Sequence, residues 1–301
     1  MDFDWEDFRY FMAVRSAGSL SAAGRELGVH ASTVSRRLES LEESLGVLLF
    51  RRATDGLTLT EVGMKLAEPG RLMERQMTLA KELLSGDRSA VEGRVRISVT
   101  TTFDEFFLGG EIPELIRRYP GLQPSIMAGS TLVDLIGGDA DVAIRLGQIG
   151  AEAPVPLAQQ EGLLARHICE MSCHVYASKA YLKREKQGVD ASPERLHFVV
   201  PSQQWMPGHA WVQATIPAEN QVARSTGTLS MVRSDVGAAI LPDFVAAGDK
   251  RLVRLTSSGL IDRRALWVLW PSDLRRIARV QAVVDFLIEQ VRKNEHIFDI
   301  R

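Results

Sequence analysis

Two pairs of adjacent arginines, Arg36-Arg37 and Arg51-Arg52, lie close together in the chain, the first pair just after His30 and among the small hydroxyls Ser32, Thr33 and Ser35. Guanidinium groups fork onto phosphate oxygens and onto the edge of guanine, while short hydroxyls accept or donate at the same range. These residue types together suit a face that approaches a DNA duplex. A merely solvated helix face has the same composition, so the arginines alone do not separate the two readings. The framework around them does.

From Leu20 to Leu45 the sequence predicts a helix-turn-helix, with Ala22, Ala23 and Leu27 inward on the first helix and Gly28 at the turn. On the second helix Val34, Leu38, Leu41 and Leu45 form an inward stripe at helical spacing, leaving Ser32, Thr33, Ser35, Arg36 and Arg37 outward. After Gly46 come Val47 to Arg52, a tight turn at Asp55-Gly56, and Leu57 to Thr60, which read as a two-stranded wing carrying Arg51 and Arg52. Asp4 as an N-cap and Gly18 as a stop bound a first helix, whose Trp5, Phe8, Phe11, Met12 and Val14 are expected to brace the motif. Thr60 caps a long helix reaching to about Gly86. In it Leu66, Met73, Met77, Ala80 and Leu84 recur near the spacing of a coiled-coil seam, whose simplest use is dimerisation. Pro69 predicts a kink or break near Lys65 to Pro69, because proline lacks the backbone donor and clashes with the preceding turn. Residues 85 to 93 read as a polar hinge.

From Arg94 the texture changes to alternating strands and helices: a strand to Thr100, a helix from Glu105 to Tyr119, a strand from Leu122 to Ala128, a short helix from Thr131 to Ile136, and a strand from Asp141 to Arg145. That order is parallel βαβαβ. A second α/β unit follows from about Ala165 to Leu266, and the chain returns through Leu266 to Trp270 into a final amphipathic helix from about Leu274 to Arg292. Two lobes joined by two crossings make a hinged clamp. In such sheets a ligand sits beyond the carboxyl ends of the strands, at helix N-termini that favour anions. Thr100, Thr101, Thr102, Ser130, Thr131, Ser202 and Gln203 stand at those places, and Arg145 ends a strand where it can pair with a carboxylate. Each hydroxyl has helix capping as its plainer use, and Arg145 an internal salt bridge.

Composition narrows the classes. Net charge is -2, and residues 1–65 hold eight basic and ten acidic side chains, so only the local arginine clusters support phosphate contacts. The acidic start Met-Asp-Phe-Asp-Trp-Glu-Asp has no apolar signal core and no apolar run approaches the length of a membrane span, so the expectation is a cytoplasmic protein. A metal site at His167, Cys169, Cys173 and His174 is disfavoured because strand alternation turns His174 away from the two thiols, which are read as small buried groups. There is no catalytic triad context, phosphate loop or dinucleotide fingerprint, so neither catalytic residues, a metal nor a cofactor is expected.

Phe8 and Phe11, Gly18 to Ala23, Leu27-Gly28-Val29, Val34-Ser35-Arg36, Leu41 to Gly46, Leu49 to Arg52 and Leu59 to Gly63 together resemble, in order and spacing, the winged helix-turn-helix of the LysR-type transcriptional regulators. His30 and Ala31 depart from it, since the family usually carries Ser and then Gln there, so the bases read do not transfer. Gly93 to Val99, Gly138 to Arg145, Tyr176 to Leu182, Gly237 to Pro242 and Leu274 to Leu287 are similar to the family's effector-binding domain, which has the type 2 periplasmic-binding-protein fold. Asp235 departs where the family often has glycine. The resemblance implies an α/β chain overall: a helix-rich winged domain over residues 1–66, a linker and dimerisation helix with hinge over 67–92, and an effector domain over 93–301, with lobe I at about 93–164 and 268–301 and lobe II at about 165–267. It also implies operator DNA, a small, possibly anionic effector, a homodimer or homotetramer, and RNA polymerase as partners. The other reading is a ligand-binding protein or enzyme of the same fold with an accessory winged helix.

Overall fold

The N-terminal helices form where the sequence supplies a stop at each end. Helix α1 (Trp5–Ala17) begins at Asp4, whose carboxylate accepts from the Glu6 N–H at 2.9 Å, and ends at Gly18. Helix α2 (Leu20–Leu27) begins at Ser19, whose hydroxyl accepts from the Ala22 N–H at 3.2 Å, and ends at Gly28; α3 (Ala31–Leu45) ends at Gly46. The stops at Gly28 and Gly46 have φ of 70° and 68°, a left-handed conformation that a Cβ disfavours. The computed structural model describes residues 4–53, 56–84, 91–129, 133–150, 161–201, 208–224 and 227–299. The chain divides into two compact units, Met1–Arg88 with Ile136–Asp139, and Ser89–Leu135 with Ala140–Arg301.

In the first unit Phe8, Phe11, Met12, Val14, Val34, Leu38 and Leu41 are buried in one core, as the helical spacing predicts. Trp5 is the exception: it is 41 % exposed and touches the core only through its ring contact with Phe8, because it occupies the first turn, where one side of the helix still faces water. Strands β1 (Phe50–Ala53) and β2 (Gly56–Leu59) pair antiparallel as the wing, with Arg51 opposite Thr58. Asp55 lies outside the described residues. Thr60 then caps α4 (Glu61–Leu84) by accepting from the Gly63 N–H at 3.0 Å. The helix is not broken at Pro69. Ala67 is buried in the core, and a side chain at Gly70 would overlap Met12 and Phe8, so packing of this turn on α1 holds the helix across the proline's missing hydrogen bond.

The second unit is built on one ladder of strands, β3 (Gly93–Val99), β4 (Leu122–Ala128), β5 (Val142–Gln148), β6 (Leu163–Ser178), β9 (Ala239–Pro242), β10 (Leu252–Arg254) and β11 (Asp262–Pro271), ordered β10-β6-β11-β5-β3-β4 with β9 on the other side of β6. The separate pair β7 (Phe198–Pro201) and β8 (Gln221–Arg224) is parallel. As expected, β3 pairs parallel with β4 and with β5. The two crossings are β6 and β11, antiparallel to each other from Leu163 to Cys173. Between β3 and β4 the helix starts earlier than expected, as α5 (Thr101–Phe103), a π turn (Asp104–Leu108) and α6 (Gly109–Arg118), because Thr100 supplies its own cap. No helix stands at residues 133–140, which form turns, so the short helix expected at Thr131 to Ile136 is absent over its described part. The remaining helices are α7 (Lys179–Arg184), α8 (His209–Thr215), α9 (Thr228–Arg233), α10 (Asp243–Ala246), α11 (Ala278–Lys293) and α12 (Glu295–Phe298). Helix α11 buries Val280, Val283, Val284, Phe286, Leu287 and Val291 and packs across β3, β5 and α6.

Candidate nucleic-acid interface and effector lobes

Helix α3 offers Ser32 and Arg36 to solvent, with Thr33 and Ser35 half-buried beside them and His30 exposed at the helix start. Ser35 donates to Glu39 at 2.9 Å, which keeps its hydroxyl on the helix surface. Arg37 is different. Its guanidinium meets the buried Asp7 at 3.1 Å and lies over the Tyr10 ring at 6.0 Å, so it ties α3 to α1. Its side chain is still 40 % exposed, so the tie to Asp7 leaves it beside Arg36 on the outward part of the helix. On the wing Arg51 is exposed and donates through Nε to Thr58 Oγ1 at 3.2 Å. The backbone of Arg52 pairs with Leu57. Glu42 fixes the wing to the end of α3 by accepting from the Leu49 and Phe50 N–H groups at 2.6 and 3.1 Å, a tie that no sequence pattern announced.

In the α/β unit Thr100 is used as a cap, its hydroxyl accepting from the Phe103 N–H at 3.2 Å, while Thr101 is exposed and Thr102 half-buried at the same helix start. Ser130, Thr131, Ser202 and Gln203 lie outside the described residues. Arg145 is only 7 % exposed: Nη1 donates to the Ser98 and Ile144 carbonyls at 3.0 and 2.8 Å, and Nη2 to the Ser98 hydroxyl at 2.7 Å. It is therefore turned into the lobe and has no carboxylate partner among the described residues, so the internal salt bridge that the sequence allowed is not formed there. Burial lowers its pKa, because desolvation disfavours the charged form. The two thiols are buried and free, and burial pushes Cys169 up to about 12, far from a reactive thiolate.

Asp235 adopts φ 61°, a conformation that suits glycine, and is held there by a hydrogen bond from the Ser178 hydroxyl and by Arg184 donating to its carbonyl at 2.8 Å. The short polar side chain thus does by local bonding what a missing Cβ does elsewhere.

Residues 5–64 match the family described as bacterial regulatory helix-turn-helix protein, lysR family, and residues 88–292 match the LysR substrate binding domain. The chain belongs to the LysR family. It is a DNA-binding transcriptional regulator with an effector-binding domain, which replaces the reading as a solute-binding protein or enzyme with an accessory winged helix. Among LysR relatives, the regulator CrgA of Neisseria meningitidis serogroup C is 27% identical over 304 residues, covering 96% of this chain and 97% of that protein. A regulator from Xanthomonas campestris is 30% identical over 198 residues, 66% of this chain and 54% of its own length. Full-length OxyR from Pseudomonas aeruginosa, solved as a variant, has the same fold with a TM-score of 0.71 at 18% identity, covering 97% of this chain and 98% of that one. The CrgA structure gives 0.56 at 24% identity over 96% of this chain and 99% of that one. Among the described residues no helix is long and apolar enough to cross a membrane.

Proposed function

We propose that this LysR-family regulator reads operator DNA as a dimer or dimer of dimers through Ser32, Thr33, Ser35, Arg36, Arg51 and Arg52, with His30 at the helix start, and that a small molecule bound between its two lobes resets the spacing of the linked DNA-binding units. The observation that carries the reading is the exposed, hydroxyl-flanked Arg36 on a helix whose opposite side, Val34 and Leu38, is locked in the core. Arg37 holds that helix to α1 through Asp7 and, with its side chain 40 % exposed, stands beside Arg36 as a further DNA contact in this reading.

Arg36→Ala is expected to weaken operator binding by about 1 to 3 kcal/mol and to relax the preference at one base pair, whereas Arg52→Ala weakens all sequences alike and flattens the salt slope by about one. Titration of operator and unrelated fragments over a salt series measures both. Wild-type curves from the two variants would remove this interface.

Dimerisation is assigned to α4, whose Met73 and Met77 are 44% and 51% exposed and stand with Leu72 and Ala80 on the solvent side. An apolar stripe of that kind is covered by a second copy more readily than by water, and a pair of recognition helices so joined meets major grooves roughly 34 to 36 Å apart. In sedimentation, the full chain with Met73→Lys and Met77→Lys is expected to shift to a monomer. An unchanged oligomer would exclude α4 as the contact.

For the effector, Thr101 and Thr102 at the start of α5 are the described contact candidates, joined in the proposal by Ser130, Thr131 and Ser202. The buried, carboxylate-free Arg145 favours an anion through its field and through the Ser98 backbone it holds, since a lone charge in low dielectric is offset by a counter-charge nearby.

A further inference from the structure

A cavity on the crossing strands has no part in the cleft reading. Along one edge β6 changes partner, pairing with β11 as far as Cys173 and with β10 from Tyr176 onward. The chain between those strands, residues 255–261, is tied to β6 where Leu255 N–H donates to the Val175 carbonyl at 2.8 Å and Ile261 N–H to that of Cys173 at 3.0 Å, and on its other side Thr256 N–H donates to the Val189 carbonyl at 2.8 Å and the Ser257 hydroxyl to that of Ala191 at 2.6 Å. Against this segment lies a cavity of about 340 Å³ lined by Ser172, His174, Arg254, Leu260, Arg263 and Asp299 among others.

His174 is the informative residue. It is only 6 % exposed, its Nδ1 is 2.8 Å from Asp243 Oδ1, and the same oxygen accepts from the Tyr176 hydroxyl at 2.9 Å. Burial first, and then the adjacent Asp243, push the Tyr176 hydroxyl well above its ordinary pKa, so it remains a donor. A carboxylate oxygen can only accept, so in the neutral form of the ring it holds the proton on Nδ1 and leaves the lone pair on Nε2. His174 itself lines the cavity, and no described residue bonds its Nε2. A buried acceptor with its tautomer fixed by a second carboxylate-bound donor is a specific element, because an unmatched ligand leaves it unsatisfied.

The rest of the lining defines what would match. Arg254 and Arg263 both line the cavity, and Arg263 bonds Asp299 at 3.1 Å and Glu170 at 3.2 Å. Leu255 and Leu260 give an apolar wall. We propose that this cavity is a second ligand site, separate from the interlobe cleft, for a small hydroxylated monocarboxylate whose hydroxyl donates to His174 Nε2 and whose carboxylate meets Arg254. The proposal does not depend on which molecule the cleft takes.

Glycolate, lactate and mandelate, each paired with its unhydroxylated counterpart acetate, propionate or phenylacetate, are the probes, titrated calorimetrically into the full chain. At least one hydroxy acid is expected to bind about tenfold or more tightly than its counterpart, and to move the nitrogen NMR signal of His174 Nε2. Arg254→Gln should weaken it about tenfold, and Leu260→Trp on the exposed rim should block it without disturbing the Asp243 network. Thr101→Val should leave it unchanged, which separates this site from the cleft. Absence of binding by all three hydroxy acids, equal binding of a pair, or loss of binding in Thr101→Val with retention in Leu260→Trp each overturns the proposal.

Discussion

Replacing Phe298 by alanine should lower the unfolding free energy of the α/β unit by about 3 to 5 kcal/mol, the cost of emptying a buried aromatic site. Phe298 is fully buried at the end of α12, with ring centroids 5.0 Å from both Phe107 and Phe244 and 6.3 Å from Phe103. Phe103 and Phe107 follow directly on Thr100, Thr101 and Thr102, and Phe244 follows Asp243 at the start of α10. A four-residue helix has no stability of its own, so α12 is held by this ring and by the bond of Asp299 to Arg263. Removing the ring therefore loosens the tail and the turn that carries Thr100, Thr101 and Thr102 together. Denaturant unfolding of Phe298→Ala beside the exposed His296→Ala measures it: the latter should stay within about 0.5 kcal/mol of wild type. Equal midpoints for the two variants would mean that the aromatic cluster contributes no net stability.

The parts of this structure that sequence anticipates are those set by short-range rules. Asp4 and Thr60 cap helices because a side-chain oxygen reaches a backbone N–H two or three residues on, and the stop at Gly18 and the turn at Gly28 follow from backbone freedom; these lie where the pattern placed them. Long-range pairings were not visible. Asp7 and Arg37 are thirty residues apart and His174 and Asp243 sixty-nine, and no periodicity relates them. Strand β6 was legible only from about His167 to Ala177, where its residues are mostly buried, and its more exposed start at Leu163 to Arg166 was not. The surroundings of Arg145 were hidden for a related reason: only the structure reveals the Ser98 carbonyl and hydroxyl, forty-seven residues away in the chain, that satisfy it inside. Of the candidate effector set, then, the threonines at the start of α5 sit at a helix entry as the pattern required, while Arg145 is buried within the lobe.

Gly63→Ala should destabilise the winged unit by about 3 kcal/mol, the upper part of the range for forcing an atom into a filled core. A Cβ at Gly63 would overlap the Leu49 carbonyl oxygen and stand 3.0 Å from Leu59 Cδ2. The oxygen has nowhere to go: it accepts from the Thr60 N–H at 2.9 Å, and the Leu49 N–H on the other side of the same residue is held by Glu42 at 2.6 Å. Relief would require α4 to move away from the strand entry, breaking the Thr60 cap and the tie between α3 and the wing. Gly70 makes the contrast, because the atoms its side chain would meet are the far ends of Met12 and Phe8, and methionine repacks readily. Gly70→Ala is accordingly expected to cost about 1 kcal/mol, near the lower end of that range. Chemical denaturation followed by circular dichroism ranks the two, and operator titration of Gly63→Ala should show a fall in active protein at unchanged affinity of the folded fraction. If Gly63→Ala unfolds at the midpoint of Gly70→Ala, the close approach of α4 to Leu49 is not what fixes the wing.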